Sequence, residues 1–331
     1  MKILILGGTR FLGRHLVTAA LEAGHAVTLF HRGRTNPDLY PELERVIGDR
    51  DGDLSRLAGR TFDAVIDTCG YHPRIVGASA AFFAERATHY TFISSIAVYR
   101  DLSKAGIGEG AELSTVEDPE DEIVTPARYG GLKALCEAAA EAAMPGRVLH
   151  LRAGLLAGPF DPTDRFTYWP LRIARGGEIL APGSPEDPVQ FLDARDLARW
   201  AVEMAERRAC GVYNVVGPAR RRTRRAFLER CRRVVGGEVT FTWVSEAFLC
   251  EAGVVPFTEM PLWVPAAASG LLAVDASRAL SEGLSPSPWE KTIRDTWQWR
   301  RSIERPLGAG LTPEREAELL RRWKRRPGKK G

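Results

Sequence analysis

The sequence predicts an α/β fold with a doubly wound parallel sheet and a smaller C-terminal domain. Three observations predict this class. Short apolar, β-favouring runs recur through the first 150 residues, segments with helical spacing follow them, and a glycine-rich turn joins the first run to the first helix. Such alternation is typical of a parallel sheet covered by helices. With 331 residues and 44% hydrophobic content, the chain can bury the core of one large or two smaller domains.

The first strand is the apolar run Lys2-Ile3-Leu4-Ile5-Leu6, which leads directly into Gly7-Gly8-Thr9-Arg10-Phe11-Leu12-Gly13 and then into a helical pattern. A strand, a glycine turn and a helix in this order form a cradle for a pyrophosphate, because the helix N-terminus offers free N–H groups. Arg10 stands where a glycine usually lets the cofactor approach, so it either crowds the pyrophosphate or points toward a cofactor phosphate. The cofactor-binding candidates in this motif are Gly7, Thr9, Arg10, Phe11, Leu12 and Gly13.

The second strand, residues 26–30, ends close to Arg32 and Arg34. An NAD-selective site usually has an acidic residue there to hold the ribose 2′-hydroxyl, whereas arginine suits a 2′-phosphate. The sequence therefore favours NADP as cofactor, with NAD as the alternative. Solvated turn residues are the other interpretation of the two arginines. The third strand, residues 46–49, ends in Asp49, a candidate for contact with the adenine, and Asp53 is the neighbouring alternative.

The fourth and fifth strands, residues 64–67 and 90–93, each end in small residues. Ligands of open α/β sheets bind at the carboxyl ends of the strands, so these residues belong to the predicted cofactor site. They are Thr68, Cys69 and Gly70 after the fourth strand, and Ser94 and Ser95 after the fifth.

Tyr129 and Lys133 are the pair on which the functional hypothesis depends. They are four residues apart, so on a helix they share one face. A free phenol ionises near ~10, whereas taking a proton from an alcohol requires a base that ionises near neutral pH. Lowering the pKa to about 7 requires roughly 4 kcal/mol of preferential stabilisation of the phenolate. We expect the ammonium of Lys133, with a nicotinamide cation, to lower the pKa of Tyr129 in this way.

These segments resemble the extended short-chain dehydrogenase/reductase family, the group that includes NAD-dependent epimerases and dehydratases. The resemblance extends over most of residues 1–300 and also includes the segments 94–99, 191–196 and 211–217. It implies a Rossmann-type sheet in which Tyr129 exchanges a proton, Ser95 polarises the substrate oxygen and Lys133 holds the nicotinamide ribose, with Ser94 as the alternative to Ser95. The reaction it implies is hydride transfer between the nicotinamide and a secondary alcohol or ketone carbon of a small-molecule substrate.

The resemblance also predicts the domains. Residues 1–150, joined by 188–217, would bind the dinucleotide, residues 151–187 and 218–320 would form the substrate domain, and 321–331 would be a basic tail. Dimerisation through the Tyr129 helix is a family expectation that an alanine-rich face permits. The 29 residues between Tyr99 and Tyr129 carry eight acidic residues, and we interpret this loop as a lid, or else as a solvated excursion.

Two departures from the family pattern leave the substrate open. Sugar-nucleotide epimerases usually carry an asparagine and an arginine, which meet the nucleotide diphosphate, at the positions that are here Leu155 and Val189. A sugar-nucleotide epimerase would therefore need a rearranged diphosphate site, with arginines such as those near 220 as substitutes.

The glycine motif looks most like an atypical branch that includes chloroplast stem-loop-binding proteins, which bind RNA. RNA binding on a reductase scaffold is therefore the rival hypothesis. The last eleven residues hold seven basic residues and no acidic one, but only Trp323 would be available there to stack on bases.

Composition favours a cytoplasmic enzyme without a resident metal. Residues 1–6 enter a strand directly rather than forming a signal peptide, and no apolar run is long enough to span a membrane. The five cysteines and six histidines are scattered without metal-ligand spacing, so reduced thiols are the simplest interpretation.

Overall fold

The computed structural model describes residues 1–218 and 220–326. Its strands are β1 (Lys2–Leu6), β2 (Ala26–His31), β3 (Glu44–Ile47), β4 (Phe62–Asp67), β5 (Ala87–Ser95), β6 (Val148–Ala153), β7 (Leu156–Ala157), β8 (Gly177–Pro182), β9 (Leu192–Asp193), β10 (Gly211–Val215) and β11 (Val239–Val244). Its helices are α1 (Leu12–Glu22), α2 (Pro73–Phe83), α3 (Tyr129–Ala143), α4 (Tyr168–Ala174), α5 (Ala194–Glu206), α6 (Arg224–Val235), α7 (Glu246–Glu251), α8 (Ser277–Ser281), α9 (Trp289–Arg301) and α10 (Pro313–Lys324).

Seven strands form one parallel sheet in the order β10-β6-β5-β4-β1-β2-β3. The chain runs outward from β1 in one direction through β2 and β3, and in the other through β4, β5 and β6. The strand order therefore reverses beside β1, and a crevice forms there because the chain leaves β1 and β4 toward helices on opposite faces of the sheet, α1 and α2. The predicted Rossmann-type doubly wound α/β sheet is confirmed. β3 ends at Ile47, so Asp49 lies two residues beyond the strand.

The central strands are buried on both faces, which explains why their sequences are continuous apolar runs rather than alternating ones. On one face, residues such as Ile3 and Ile5 of β1 pack with α1 and α5. On the other face, Leu4 and Leu6 pack with α2 and α3. The sheet is thereby fixed between two helical layers, and its carboxyl edge is left as the place where loops meet.

A third apolar core lies in the C-terminal part of the chain and is rich in aromatic side chains. Phe191 stacks on Trp289, with ring centroids 4.8 Å apart. Tyr168 and Trp169 belong to this core and are each 1% exposed, so they do not line an open pocket.

The final helix corrects the predicted basic tail. Thr312 caps α10, accepting a hydrogen bond from the Arg315 N–H at 3.2 Å. The helix continues to Lys324, because Trp323 is buried against Phe248 while Lys324 pairs with Glu178 at 2.6 Å. Residues 321–324 are thus helical rather than tail, and residues 327–331 lie outside the described residues.

Among the described residues, the helices are all too short or too polar to cross a bilayer.

Candidate cofactor and catalytic site

A cavity of about 780 Å³ opens at the carboxyl edge of the sheet, beside the point where the strand order reverses. Its volume lies within the range usual for small-molecule and cofactor sites. The cavity walls include most of the predicted cofactor residues: Gly7, Thr9, Arg10, Phe11, Leu12, Gly13, Arg32, Arg34, Asp49, Thr68 and Cys69. Segments separated by up to some 60 residues in sequence therefore meet at one site.

The roof of this cavity comes from the loop after β7. Pro162 and Thr163 line the cavity from that side. The loop is tied to α1, since His15 Nε2 lies 3.0 Å from the Pro159 carbonyl oxygen and the Arg14 guanidinium lies 3.6 Å from the Phe160 ring centroid. The sequence did not indicate this contact, because both partners look like ordinary loop or helix surface.

The glycine turn holds the start of α1 close to the end of β1. Gly7 has φ +108°, and a Cβ there would collide with the Thr68 hydroxyl. A Cβ at Gly13 would lie 2.8 Å from the Gly8 nitrogen, so only glycine lets α1 approach the turn this closely. Helix α1 begins after Phe11 without a side-chain cap. The Gly13 and Arg14 N–H groups donate to the Arg10 and Phe11 carbonyl oxygens, at 2.9 and 3.0 Å, so the positive end of the helix dipole is what α1 offers to an anion here.

Three exposed or half-exposed arginines, Arg10, Arg32 and Arg34, line the cavity. Arg32 lies 4.0 Å from the Asp49 carboxylate, and both side chains are about half exposed. Asp53, the alternative to Asp49, instead accepts a hydrogen bond from the Asp49 N–H at 2.8 Å and stabilises its own turn. Asp49 is therefore the carboxylate of the two that faces the cavity.

A buried ion pair between Arg50 and Asp67 supports the floor of the cavity and was missed at the sequence level. The guanidinium contacts both Asp67 oxygens, at 2.6 and 2.8 Å, and Tyr90 donates its hydroxyl to Asp67 at 2.9 Å. Burial alone would raise the pKa of Asp67, but the charge of Arg50 outweighs it, so the pKa lies below its usual value. The only sequence signal was an acidic residue at the end of an otherwise apolar strand.

Lys133 is buried, 3% exposed, and its ammonium joins two strand ends. It donates hydrogen bonds to the carbonyl oxygens of Gly70 at 2.9 Å and Ile93 at 2.6 Å. It also lies 4.1 Å from the ring centroid of Phe92. Burial lowers the pKa of Lys133 to about 8. Because an ammonium carries three N–H donors, one remains for a ligand after the two carbonyls are satisfied.

Tyr129 is the first residue of α3, and burial is the largest influence on the pKa of its phenol. Burial raises the pKa of the Tyr129 phenol, while hydrogen bonding with the Ser95 side chain lowers it by less. The Lys133 ammonium donates to the Gly70 and Ile93 carbonyl oxygens, and a lowering of the Tyr129 pKa by Lys133 together with a nicotinamide cation stays a prediction. Without a ligand, the phenol is therefore protonated at neutral pH and can donate a proton rather than accept one.

The two candidate serines have different environments. Ser95 ends β5, and its Oγ accepts a hydrogen bond from the Ala97 N–H at 3.2 Å beside the Tyr129 phenol. Ser94 is 4% exposed, and its Oγ has no hydrogen-bond partner in the part of the chain that the structure describes. Of the two, Ser95 is the one placed beside the phenol.

The group formed by Gly70, Ser94, Ser95, Tyr129 and Lys133 is not part of the cavity wall itself. Tyr71 connects the two regions, because it lines the cavity and its ring centroid lies 5.7 Å from the Lys133 nitrogen. The predicted cofactor and catalytic residues are thus neighbours along one edge of the sheet.

The loop between Tyr99 and Tyr129 is firmly attached at its base. Arg152 on β6 forms an ion pair with Glu137 on α3 at 2.7 Å and also donates to the Tyr99 hydroxyl and the Glu109 carbonyl oxygen. Asn214 on β10 donates its backbone N–H to the Glu109 carboxylate at 2.9 Å. The second half of the loop lies over the start of α2, where Glu122 pairs with Arg74 at 3.3 Å.

The family model that matches this chain is the NAD dependent epimerase/dehydratase family, over residues 3–216. The chain belongs to this family. Two curated relatives match shorter stretches: a 3-beta-hydroxysteroid dehydrogenase of Mycolicibacterium neoaurum, 29% identical over 34% of this chain, and the chloroplast stem-loop binding protein of 41 kDa b of Arabidopsis thaliana, 39% identical over 18%. These stretches span 30% and 14% of the two relatives' own lengths.

Solved structures of the family share the fold over nearly the whole chain. The UDP-glucuronic acid 4-epimerase of Bacillus cereus, in complex with NAD, is 16% identical, with a TM-score of 0.65 over 92% of this chain and 100% of its own. The human epimerase family protein SDR39U1, with NADPH, is 20% identical, with a TM-score of 0.62 over 90% of this chain and 99% of its own. At these identities the likeness establishes the fold.

Proposed function

We propose that this protein is an NADP-preferring oxidoreductase that acts on a ketone or secondary alcohol of a small molecule. The observation that carries the proposal is the cavity lined by the glycine turn and three exposed arginines, with the Ser95, Tyr129 and Lys133 group at its border. Residues 1–150 with 188–217 would bind the dinucleotide, and residues 151–187 and 218–320 would hold the substrate.

The residues present fit a nicotinamide dinucleotide. The glycine turn leaves room for a pyrophosphate at the uncapped start of α1, and Arg32 and Arg34 supply the charge that a 2′-phosphate needs. When bound, the dinucleotide supplies or accepts a hydride.

In the proposed reaction, the side chains of this chain position the substrate and move one proton. Ser95 donates a hydrogen bond that polarises the substrate oxygen, and the protonated phenol of Tyr129 delivers its proton to that oxygen as the ketone is reduced. The free N–H of Lys133 holds the nicotinamide ribose. Because burial raises the pKa of the Tyr129 phenol, the side chain carries at neutral pH the proton that this step delivers.

The first experiment measures NADPH and NADH binding to the purified protein by calorimetry. We expect NADPH to bind more tightly than NADH. Arg32→Ala should weaken the affinity for NADPH by roughly 10- to 100-fold and change the affinity for NADH little, because a charge-assisted hydrogen bond contributes about 1.5–3 kcal/mol. Equal affinities that the substitution does not alter would contradict the NADP preference, and no binding of either nucleotide would contradict the function.

A second experiment separates net reduction from epimerisation. The purified protein is denatured, and any released nucleotide is identified by absorbance and mass. An epimerase regenerates its cofactor and commonly keeps it bound, whereas a net reductase exchanges it. Tightly held, stoichiometric dinucleotide would therefore count against net reduction.

A sugar-nucleotide substrate is the second candidate, and one observation favours it. A cavity of about 220 Å³ is lined by Arg221 and Arg222 together with Val189 and Gln190. Val189 is buried and its side chain has no hydrogen-bonding group, but the two exposed arginines beside it could hold a diphosphate. Binding of UDP that is lost in the Arg221→Ala/Arg222→Ala variant would support this substrate class.

The contacts of α10 weaken the RNA-binding alternative. Trp323 is buried, and the basic residues Lys324 and Arg326 are paired with Glu178 and Glu251. RNA binding that persists in excess NADPH and has a steep salt dependence would support the RNA-binding alternative.

A further inference from the structure

We propose that Arg50 is the adenine platform of the site: its flat side, formed by the methylene stem and the guanidinium face, is the surface on which the adenine ring stacks. The inference rests on the dinucleotide binding proposed above and assigns a residue outside the predicted set. Arg50 lines the cavity, yet its side chain is only 10% exposed.

The hydrogen bonds of Arg50 exclude a role in phosphate binding. Its Nε donates to the Ser79 hydroxyl at 3.2 Å, and its two terminal nitrogens donate to Asp67, Ser79 and the Cys69 sulfur at 2.6 to 3.7 Å. These contacts account for all five N–H donors of a guanidinium. Donors lie in the guanidinium plane, so a ligand in the cavity can meet only the stem and the face, which suit an aromatic ring.

The same contacts fix the orientation of that plane. Asp67 is fully buried and holds the guanidinium through both of its oxygens. Ser79 on α2 accepts from Arg50 and donates to the Ile75 carbonyl oxygen at 2.9 Å, and Ile75 lines the cavity as well. The platform is therefore preorganised, with an apolar side chain close by.

The position of Arg50 in the cavity points to the adenosine half of the ligand. Arg50 lies in the turn after β3, next to Asp49, and Asp49 lies 4.0 Å from Arg32. Arg32 is a proposed 2′-phosphate ligand, and this phosphate is attached to the adenosine ribose. The nicotinamide end belongs beside Lys133 and Tyr129, so the base that reaches Arg50 is the adenine.

Fragment binding tests the platform. We would measure the affinity of 2′,5′-ADP and of nicotinamide mononucleotide by calorimetry for the wild type, Arg50→Lys and the double variant Arg50→Met/Asp67→Asn. The double variant removes both charges together, because Arg50→Met alone would leave the charge of Asp67 buried without a partner. Loss of stacking should weaken the affinity for 2′,5′-ADP roughly 5- to 30-fold in both variants. The affinity for nicotinamide mononucleotide should change by less than about twofold.

The matched control is Arg172→Met/Glu316→Gln, which removes another buried ion pair, 2.6 Å long, in the C-terminal core. It should leave both fragments unaffected. Unchanged 2′,5′-ADP affinity in the folded Arg50 variants would overturn the platform, and so would equal losses for both fragments.

A measurement on the wild type needs no variant. In the complex with 2′,5′-ADP, nuclear Overhauser effects should connect the adenine protons to the Arg50 methylenes, and their absence would overturn the inference. A wild type that binds 2′,5′-ADP with these contacts but does not bind NADPH would contradict the proposed function and leave the platform standing.

Discussion

The buried ammonium of Lys133 makes a quantitative prediction about stability and pH. Burial lowers the pKa of Lys133 from 10.5 to about 8 in the folded chain. Between these values the unfolded chain holds a proton that the folded chain has released, so the free energy of unfolding rises with pH. The free energy of unfolding begins to rise as the pH passes about 8, with a limiting slope of about 1.36 kcal/mol per pH unit. Between pH 7 and pH 9 the total increase is about 1 kcal/mol.

The perturbation is Lys133→Met, which fills a similar volume without the charge. Urea unfolding followed by tryptophan fluorescence at pH 7, 8 and 9 gives the free energy of unfolding of both proteins. The stability of the wild type relative to the variant should rise by about 1 kcal/mol across this range, because only the wild type carries the shifted lysine. The series stops at pH 9 because of the neighbouring Cys136 thiol, whose pKa burial raises from 9.0 to about 12. Above pH 9 the unfolded chain loses this proton while the folded chain keeps it, so the free energy of unfolding would fall with pH.

Lys291 supplies the control. It is half exposed on α9 and pairs with Asp295 at 3.2 Å, so Lys291→Met removes a lysine without removing a buried ammonium. Its stability difference from the wild type should be flat from pH 7 to pH 9. A flat difference for Lys133→Met as well would refute the argument that the buried ammonium is partly deprotonated in this window.

Three further variants test the packing and the chemistry around the site. Gly130→Ala should lower the free energy of unfolding by about 1–3 kcal/mol in thermal or urea unfolding, because the added methyl would collide with the Ala97 carbonyl oxygen. The control is Gly77→Ala, whose added methyl has ordinary contacts at 3.4 Å and should be neutral or stabilising by up to about 1 kcal/mol. A Gly130 variant as stable as the wild type would contradict the close approach of Gly130 to Ala97. Glu137→Gln should cost about 3–5 kcal/mol in the same assay, since it leaves the Arg152 charge buried without its partner, and a loss below 1 kcal/mol would show that the pair is not desolvated. Tyr129→Phe should abolish turnover of any ketone that the wild type reduces with NADPH while leaving calorimetric NADPH affinity nearly intact, and unchanged turnover would remove Tyr129 from the mechanism.

The sequence predicted the elements whose signals are local. Strand β1, the glycine turn and α1 follow directly from an apolar run, glycines and helical spacing, and the structure places them as expected. The cap of α10 by Thr312 obeys the same kind of local rule. Parallel pairing in the predicted sheet also followed, because the alternation of strands and helices permits few other arrangements.

What the sequence did not reveal depends on contacts between distant residues. Arg50 and Asp67 are 17 positions apart and look like a turn cation and a strand-end acid until the sheet brings them together. Spacing on a helix indicated that Tyr129 and Lys133 are close, but not that burial dominates the pKa of the phenol or that backbone carbonyls accept hydrogen bonds from the ammonium. The roof formed by Pro162 and Thr163 was missed for the same reason, since it requires the path of the chain after β7.

The attachment of the loop between Tyr99 and Tyr129 indicates where this scaffold could be redesigned. Glu109 lies at the centre of contacts with β6 and β10, so changes near it would disturb the sheet. The far half of the loop is different, because Ile123 is 67% exposed and Val124 is 42% exposed. A randomised library restricted to residues 122–124 would therefore vary this exposed stretch while keeping Asp118, Asp121 and Thr125, which bond to Arg128 and Tyr129 at the start of α3.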